Sequence, residues 1–158
     1  MTRHGRCAGS GARFETEVIA TPDAIRAVLS AMCRRLSAGG AGPALLSRAE
    51  LVLAEVMNNI AEHAYDGSAP GRVRLCASIA QDELRVIVYD SGRPMPSGAM
   101  PAGTLPESSG RAETLPEGGF GWFLIREQTE SLSYRHEHGQ NRLELRFRQR
   151  GAEREAET

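Results

Sequence analysis

The chain has 158 residues, 41% hydrophobic and 25% charged, with a net charge of −1; that size suits one domain with a buried core. The near-neutral balance draws it to neither nucleic acid nor an anionic membrane surface. All 19 basic residues are arginine, which excludes a GxxxxGK[ST] phosphate loop, the strand lysine of eukaryote-type protein kinases and Schiff-base chemistry.

Residues 1–12 are Gly-rich and polar, without the apolar stretch of a signal peptide, and are expected to be a flexible N-terminus. Residues 13–19 (RFETEVI) read as a first strand. Thr21-Pro22 then signals a helix start, a capping Thr with Pro at the first helical position. Ile25, Val28, Leu29, Met32, Cys33 and Leu36 give that helix one apolar face, and Gly39–Pro43 ends it.

A second helix is expected over 44–65. At about 100° per residue, Leu46, Ala49, Leu53, Val56 and Ile60 fall on one arc and Glu55, Asn59, Glu62 and His63 on another, so a core side faces away from a polar stripe. After a turn at 66–71 the pattern becomes strict alternation. Val73, Leu75, Ala77 and Ile79 share one strand face, and Leu84, Val86 and Val88 share another beyond the Gln81-Asp82 turn, which reads as a hairpin. The second strand runs into Asp90-Ser91-Gly92.

Residues 93–117 carry five prolines with several Gly and Ser. They predict a long irregular loop of the kind that is functional or disordered. Gly118–Gly121 closes it and opens a third helix over about 121–131. A final hairpin pairs 132–137 with a strand whose Leu143, Leu145 and Phe147 share a face, and 150–158 reads as a disordered tail. The order β-α-α-β-β-loop-α-β-β predicts an α+β two-layer sandwich, a mixed, mostly antiparallel sheet under a helical layer.

No apolar run approaches the roughly 20 residues that span a bilayer, so a cytoplasmic location and no membrane partner are expected. Cys7, Cys33 and Cys76 are odd in number and fit no metal-binding spacing; free thiols are expected, with Cys33 in core packing.

Three segments can carry chemistry. Glu55 and Asn59 lie one turn apart on one helix face, a carboxylate able to act as general base beside an amide able to bind a hard cation. Asp90 ends an apolar strand and can accept a hydrogen bond from an exocyclic amine such as that of adenine. Glycines before a helix let backbone N–H groups approach an anion. His136 and His138, two apart, lack a third ligand. Arg142, Glu144, Arg146 and Arg148 read as the wet face of an edge-side strand; a nucleic-acid role would need a larger basic patch.

ExxxNxxxHAY on a helix, DxG after a strand and GGxG opening a helix, in this order, resemble the GHKL (Bergerat-fold) ATP-binding superfamily. Within it, AEVMNNIAEHAY and GGFGWFLIREQTESLSYRHEHGQNRLEL are most similar to the RsbW-like anti-sigma factors that are also serine-protein kinases. The resemblance covers residues 13–149 as one ATP-binding domain. It implies ATP and Mg²⁺ as cofactors, Glu55 as general base, Asn59 as Mg²⁺ ligand and Asp90 as the adenine contact. Gly92 would give the loop room, Gly119 and Gly121 would seat the phosphates, and loop 93–117 would be a lid in which Arg93 and Arg111 could reach a phosphate. It further implies a sigma factor and a STAS-type anti-anti-sigma protein as partners, a homodimer, and phosphoryl transfer to Ser or Thr. The other reading is a binding module that uses ATP only to set its shape. Pro94 stands where many of these proteins have the second glycine of DxGxG.

Overall fold

Thr21 and Pro22 act as their types predict. In the computed structural model, which describes residues 11–65, 69–103 and 119–151, helix α1 (Pro22–Ala38) begins with the Thr21 hydroxyl accepting from the Ala24 N–H at 3.3 Å, one of the orphan donors of a helix start. It follows strand β1 (Arg13–Ile19) and precedes α2 (Pro43–Asn59). A hairpin of β2 (Arg72–Ala80) and β3 (Glu83–Asp90) comes next, then α3 (Gly119–Gln128), and a second hairpin of β4 (Ser131–Glu137) and β5 (Gln140–Arg148) ends the fold.

The strands form one sheet in the order β1-β2-β3-β5-β4. All four neighbouring pairs are antiparallel, so the α+β sandwich is as expected and its sheet is antiparallel throughout. The alternating residues do the burying. Val73, Leu75, Ala77 and Ile79, then Leu84, Val86 and Val88, then Leu143, Leu145 and Phe147 are all buried on the face that meets the helices. Ile25, Leu29, Met32 and Leu36 of α1, Leu45, Val52, Leu53 and Met57 of α2 and Ile125 of α3 complete this core.

Strand β5 lies inside the sheet, between β3 and β4, not at its edge side. Its outward residues are not simply wetted either. Glu144 is buried and accepts from Arg85 at 2.8 and 3.1 Å, from Arg142 at 2.6 Å and from Arg146 at 3.0 and 3.1 Å. These arginines hold its carboxyl well below the ordinary range, at about 2. Register explains the ring: Ile87 of β3 and Ser133 of β4 pair with Glu144, and Arg85 pairs with Arg146.

The topology also sets where a site can form. Asp90 ends β3 opposite Val73 at the start of β2 and Asn141 at the start of β5. The C-terminus of α2 arrives at the same end of the sheet, where the Arg93 N–H donates to Ala64 O at 2.8 Å.

Candidate nucleotide site

The helix with the polar stripe does not run unbroken to Tyr65. Its α-helical part ends at Asn59 and its last turn, Ile60–Ala64, is π-helical. Such single π turns recur at functional sites. Here the loop after β3 supplies partners for the terminal carbonyls: Ala64 O takes the Arg93 N–H, and His63 O takes the Arg93 guanidinium at 3.2 Å. Gly92 makes the approach possible, since a Cβ there would lie 2.5 Å from both Ala64 O and Ala64 Cβ. Tyr65 closes the corner, its hydroxyl donating to Arg72 O at 2.8 Å and accepting from the Ser91 N–H at 3.0 Å. Gly71 leaves space for that ring.

Between this corner and α3 is a cavity of about 90 Å³. Asn59, His63, Asp90 and Arg93 line it together with Trp122, Tyr134 and Asn141, over an apolar floor that includes Val56, Ile60 and Leu143. It is smaller than the roughly 300–1,000 Å³ of typical ligand clefts. It therefore suits one ring system, with the rest of a larger ligand extending outward.

Two polar groups in it are poised for a ligand. The Asn59 Nδ2 atom is buried with no hydrogen-bond partner, a state that costs on the order of 1–3 kcal/mol unless something pairs with it. Asp90 is buried, and its described hydrogen bonds both fall on Oδ1, from the Gly92 N–H at 2.9 Å and the Asn141 amide at 2.8 Å. Burial pushes the Asp90 carboxyl above the ordinary range, while those two donors and the nearby His136 pull the other way.

The structure thus gathers Asn59, Asp90 and Arg93 around one cavity, with Gly92 behind it against Ala64. Glu55 is set one turn back on α2, facing Gly121 of α3, where a Cβ would lie 2.0 Å from Glu55 Oε1. Gly121 in this arrangement makes room for a carboxylate. Gly119 opens α3. Gly118, Arg111, Cys7 and most of the tail fall outside the described residues.

Loop 93–117 is described only to Gly103, and that part is tied down. The Met95 N–H donates to the Tyr134 hydroxyl at 2.9 Å, and the Arg126 guanidinium donates to Pro101 O at 2.8 and 3.1 Å.

Sequence spacing singles out neither Asn141 nor Tyr134, and it presents His136 only as half of a histidine pair. Their signal was present in strand phase. Asn141 alternates with Leu143, Leu145 and Phe147, and Tyr134 and His136 with Leu132, so polar groups occupy inward positions at the strand ends. His138 is not on a strand; it sits in the turn with φ 53°. Among the described residues no group of three or more His, Cys, Asp or Glu could hold a metal ion. Cys33 is half-buried among core residues, its thiol pushed up to about 11 chiefly by burial.

The sequence profile described as "Histidine kinase-like ATPase domain" matches residues 18–147. The chain belongs to that family. Its fold is that of this ATPase family. Among curated relatives, the serine-protein kinase RsbW of Oceanobacillus iheyensis is 25% identical over 130 residues, 80% of each chain. The proteins of that name from Bacillus mycoides and Halalkalibacterium halodurans are 26% and 28% identical over 102 residues, 64% of this chain and 63% and 62% of theirs. The chain thus spans less than two thirds of these last two relatives. The crystal structure of the RsbU and RsbW domains of a Mycobacterium tuberculosis protein shares the fold, with a TM-score of 0.59 at 18% identity over 86% of this chain and 31% of that one. No helix among the described residues is long and apolar enough to cross a membrane.

Proposed function

We propose that this chain binds ATP with Mg²⁺ and acts as an anti-sigma factor and serine/threonine-protein kinase that phosphorylates an anti-anti-sigma partner of STAS type. The observation that carries the reading is the orphaned Asn59 amide in the same cavity as the buried Asp90 carboxylate, on a helix that bears Glu55 one turn earlier. The names of the curated relatives supply the kinase chemistry.

The residues fit the cofactor. The buried Asp90, one of the residues that line a ring-sized cavity, would accept from the adenine amine. The orphaned Asn59 Nδ2 would donate to a phosphate oxygen and the amide oxygen would be the atom that meets the cation, which suits a cation that arrives on phosphates. Mg²⁺, when bound, neutralises phosphate charge. Glu55 would take the proton of the Ser or Thr hydroxyl as that oxygen bonds to the γ-phosphorus and the bond to ADP breaks; its carboxylate, now beside Gly121, would have to face the phosphates for this. Gly119 and Gly121 would let the phosphates approach the N–H groups at the start of α3. Arg93 is a wall of the cavity and a cap of α2; a phosphate contact requires it to leave His63 O. A sigma factor is the sequestered partner, and the assembly is a homodimer in the cytoplasm.

Single-turnover transfer from ATP to a STAS protein tests this. Glu55→Ala should keep or improve ATP affinity, because a carboxylate near the γ-phosphate repels it, while reducing transfer by about 10²-fold or more, the scale of a general base. Asn59→Ala should lose both. Transfer by Glu55→Ala at the wild-type rate would remove Glu55 from the chemistry. A wild type that binds ATP and transfers nothing would leave an ATP-dependent binding module.

A further inference from the structure

Asn141 is the most connected side chain at this end of the sheet. Its Nδ2 faces three acceptors, Asp90 Oδ1 at 2.8 Å, Gly92 O at 3.1 Å and Arg93 O at 3.1 Å. Its Oδ1 accepts from the Tyr134 hydroxyl at 2.6 Å and lies 2.8 Å from His136 Nδ1. Three acceptors around Nδ2 fix which way the amide points. The Tyr134 hydroxyl gives its hydrogen to Asn141 and accepts the Met95 N–H. His136 must therefore carry its own hydrogen on Nδ1, since an amide oxygen only accepts. Asn141 is buried, 4% exposed.

We propose that Asn141 is a positioning and specificity residue, its amide aiming the Asp90 carboxylate into the cavity as a hydrogen-bond acceptor and holding the Gly92–Met95 corner in the same grip. This rests on the reading of the cavity as a base-binding site.

Both described bonds to Asp90 land on Oδ1, which leaves Oδ2 as the oxygen for a ligand amine. An unheld carboxyl at a buried position could rotate or take up a proton, and a protonated Oδ2 would present a donor to an amine that also donates. The Asn141 N–H and the Gly92 N–H both favour the ionised form. The other titratable or charged groups around this corner are His63, Tyr65 and Arg93 from the helix end and loop and Tyr134 and His136 from β4; β2 places Val73 opposite Asp90, with Arg72 next to it bonded to Tyr65 through its carbonyl. The same amide grips Gly92 O and Arg93 O. The entry to the loop therefore cannot shift without disturbing the carboxylate.

Asn141→Asp keeps the shape and replaces the donor by a second carboxyl beside Asp90. Tyr134→Phe is milder; it removes the hydroxyl that orients the amide and holds the Met95 N–H. Two measurements are made on each variant of this chain and on the wild type: the titration of the Asp90 side-chain carbon by NMR without nucleotide, and ATP and GTP affinities against pH. The sign follows from the chemistry. Binding of the adenine amine needs ionised Asp90, so affinity falls as pH drops through the Asp90 titration. In Asn141→Asp both that titration and the acid limb of ATP affinity should move to higher pH. ATP affinity at neutral pH should fall about tenfold or more and the preference for ATP over GTP should shrink, the scale of a lost charge-assisted hydrogen bond. Tyr134→Phe should move the same quantities in the same direction by a smaller factor. An Asp90 titration that stays where it is in both folded variants, with wild-type preference for ATP, overturns the proposal. A wild type that binds no ATP while Asn141→Asp still moves the Asp90 titration overturns the nucleotide reading and leaves the positioning role standing.

Discussion

Replacing Asp90 by Asn separates what this residue does for the ligand from what it does for the fold. Asn at this position keeps an Oδ1 that accepts from the Gly92 N–H and the Asn141 amide, so the corner keeps its hydrogen bonds. The cavity side changes from an acceptor to an N–H donor, which confronts the donating amine of adenine and suits the carbonyl oxygen of guanine. The loss for ATP is that of one charge-assisted hydrogen bond, about 1–3 kcal/mol, or roughly 5- to 150-fold in affinity. Stability moves the other way. Burial raises the Asp90 carboxyl above its ordinary range, so the folded state holds this proton more tightly than the unfolded chain does. The ionised side chain therefore costs stability above the unfolded carboxylate range, and removing its charge relieves that cost. Asp90→Asn should unfold at the same or a higher urea concentration than wild type at neutral pH while binding ATP more weakly and losing its preference over GTP. Trp122 is the single tryptophan and lines the cavity, so its fluorescence reports binding directly. Wild-type ATP affinity and selectivity in Asp90→Asn would refute the adenine assignment. Marked destabilisation with unchanged selectivity would show that the carboxylate serves the fold.

Two further outcomes follow from the geometry. The Glu144 carboxyl is held at about 2, first by Arg85 and then by Arg142 and Arg146, so it contributes stability above the ordinary carboxylate range that is lost as pH falls from about 4.5 toward about 2; the shift alone converts to about 3 kcal/mol, and the solvent on the open side of the arginines screens it to on the order of 1–2 kcal/mol, a loss that urea unfolding between neutral pH and about pH 3 should show in wild type and not in Glu144→Gln. Gly92→Ala forces a Cβ to within 2.5 Å of Ala64 O and separates the loop from the helix end, so it should cost about 1–3 kcal/mol in urea unfolding and weaken ATP binding through Asp90; stability and affinity equal to wild type would mean the corner is soft.

The elements were legible because each carries its own period. Leu143, Leu145 and Phe147 alternate, Leu29, Met32 and Leu36 recur at helical spacing, and Thr21-Pro22 marks a helix start, so local rules and tertiary burial agree. The candidate site was legible where it consists of residues that one element presents by itself: Glu55 and Asn59 on one helix face, Asp90 at a strand end. What could not be read is what depends on two elements meeting. The π turn after Asn59 occurs where Gly92 and Arg93 close on Ala64, a contact between residues nearly 30 positions apart that no helical period announces. The ring around Glu144 exists because β5 is inserted between β3 and β4, and the same Arg-Glu-Arg alternation on an edge strand would have been ordinary wetted surface. Asn141 is the instructive case. Its inward phase was visible two residues before Leu143, and an amide in that phase must find partners or destabilise the strand. Its partners are Asp90, reached across the β3–β5 pairing, and Tyr134 and His136, reached across the β4–β5 hairpin. A polar residue in the buried phase of a strand thus predicts that something polar waits on the neighbouring strands, even before the neighbours are known. Here the neighbours include the carboxylate already suspected of meeting the base. Strand phase and site chemistry are therefore one signal in the final hairpin.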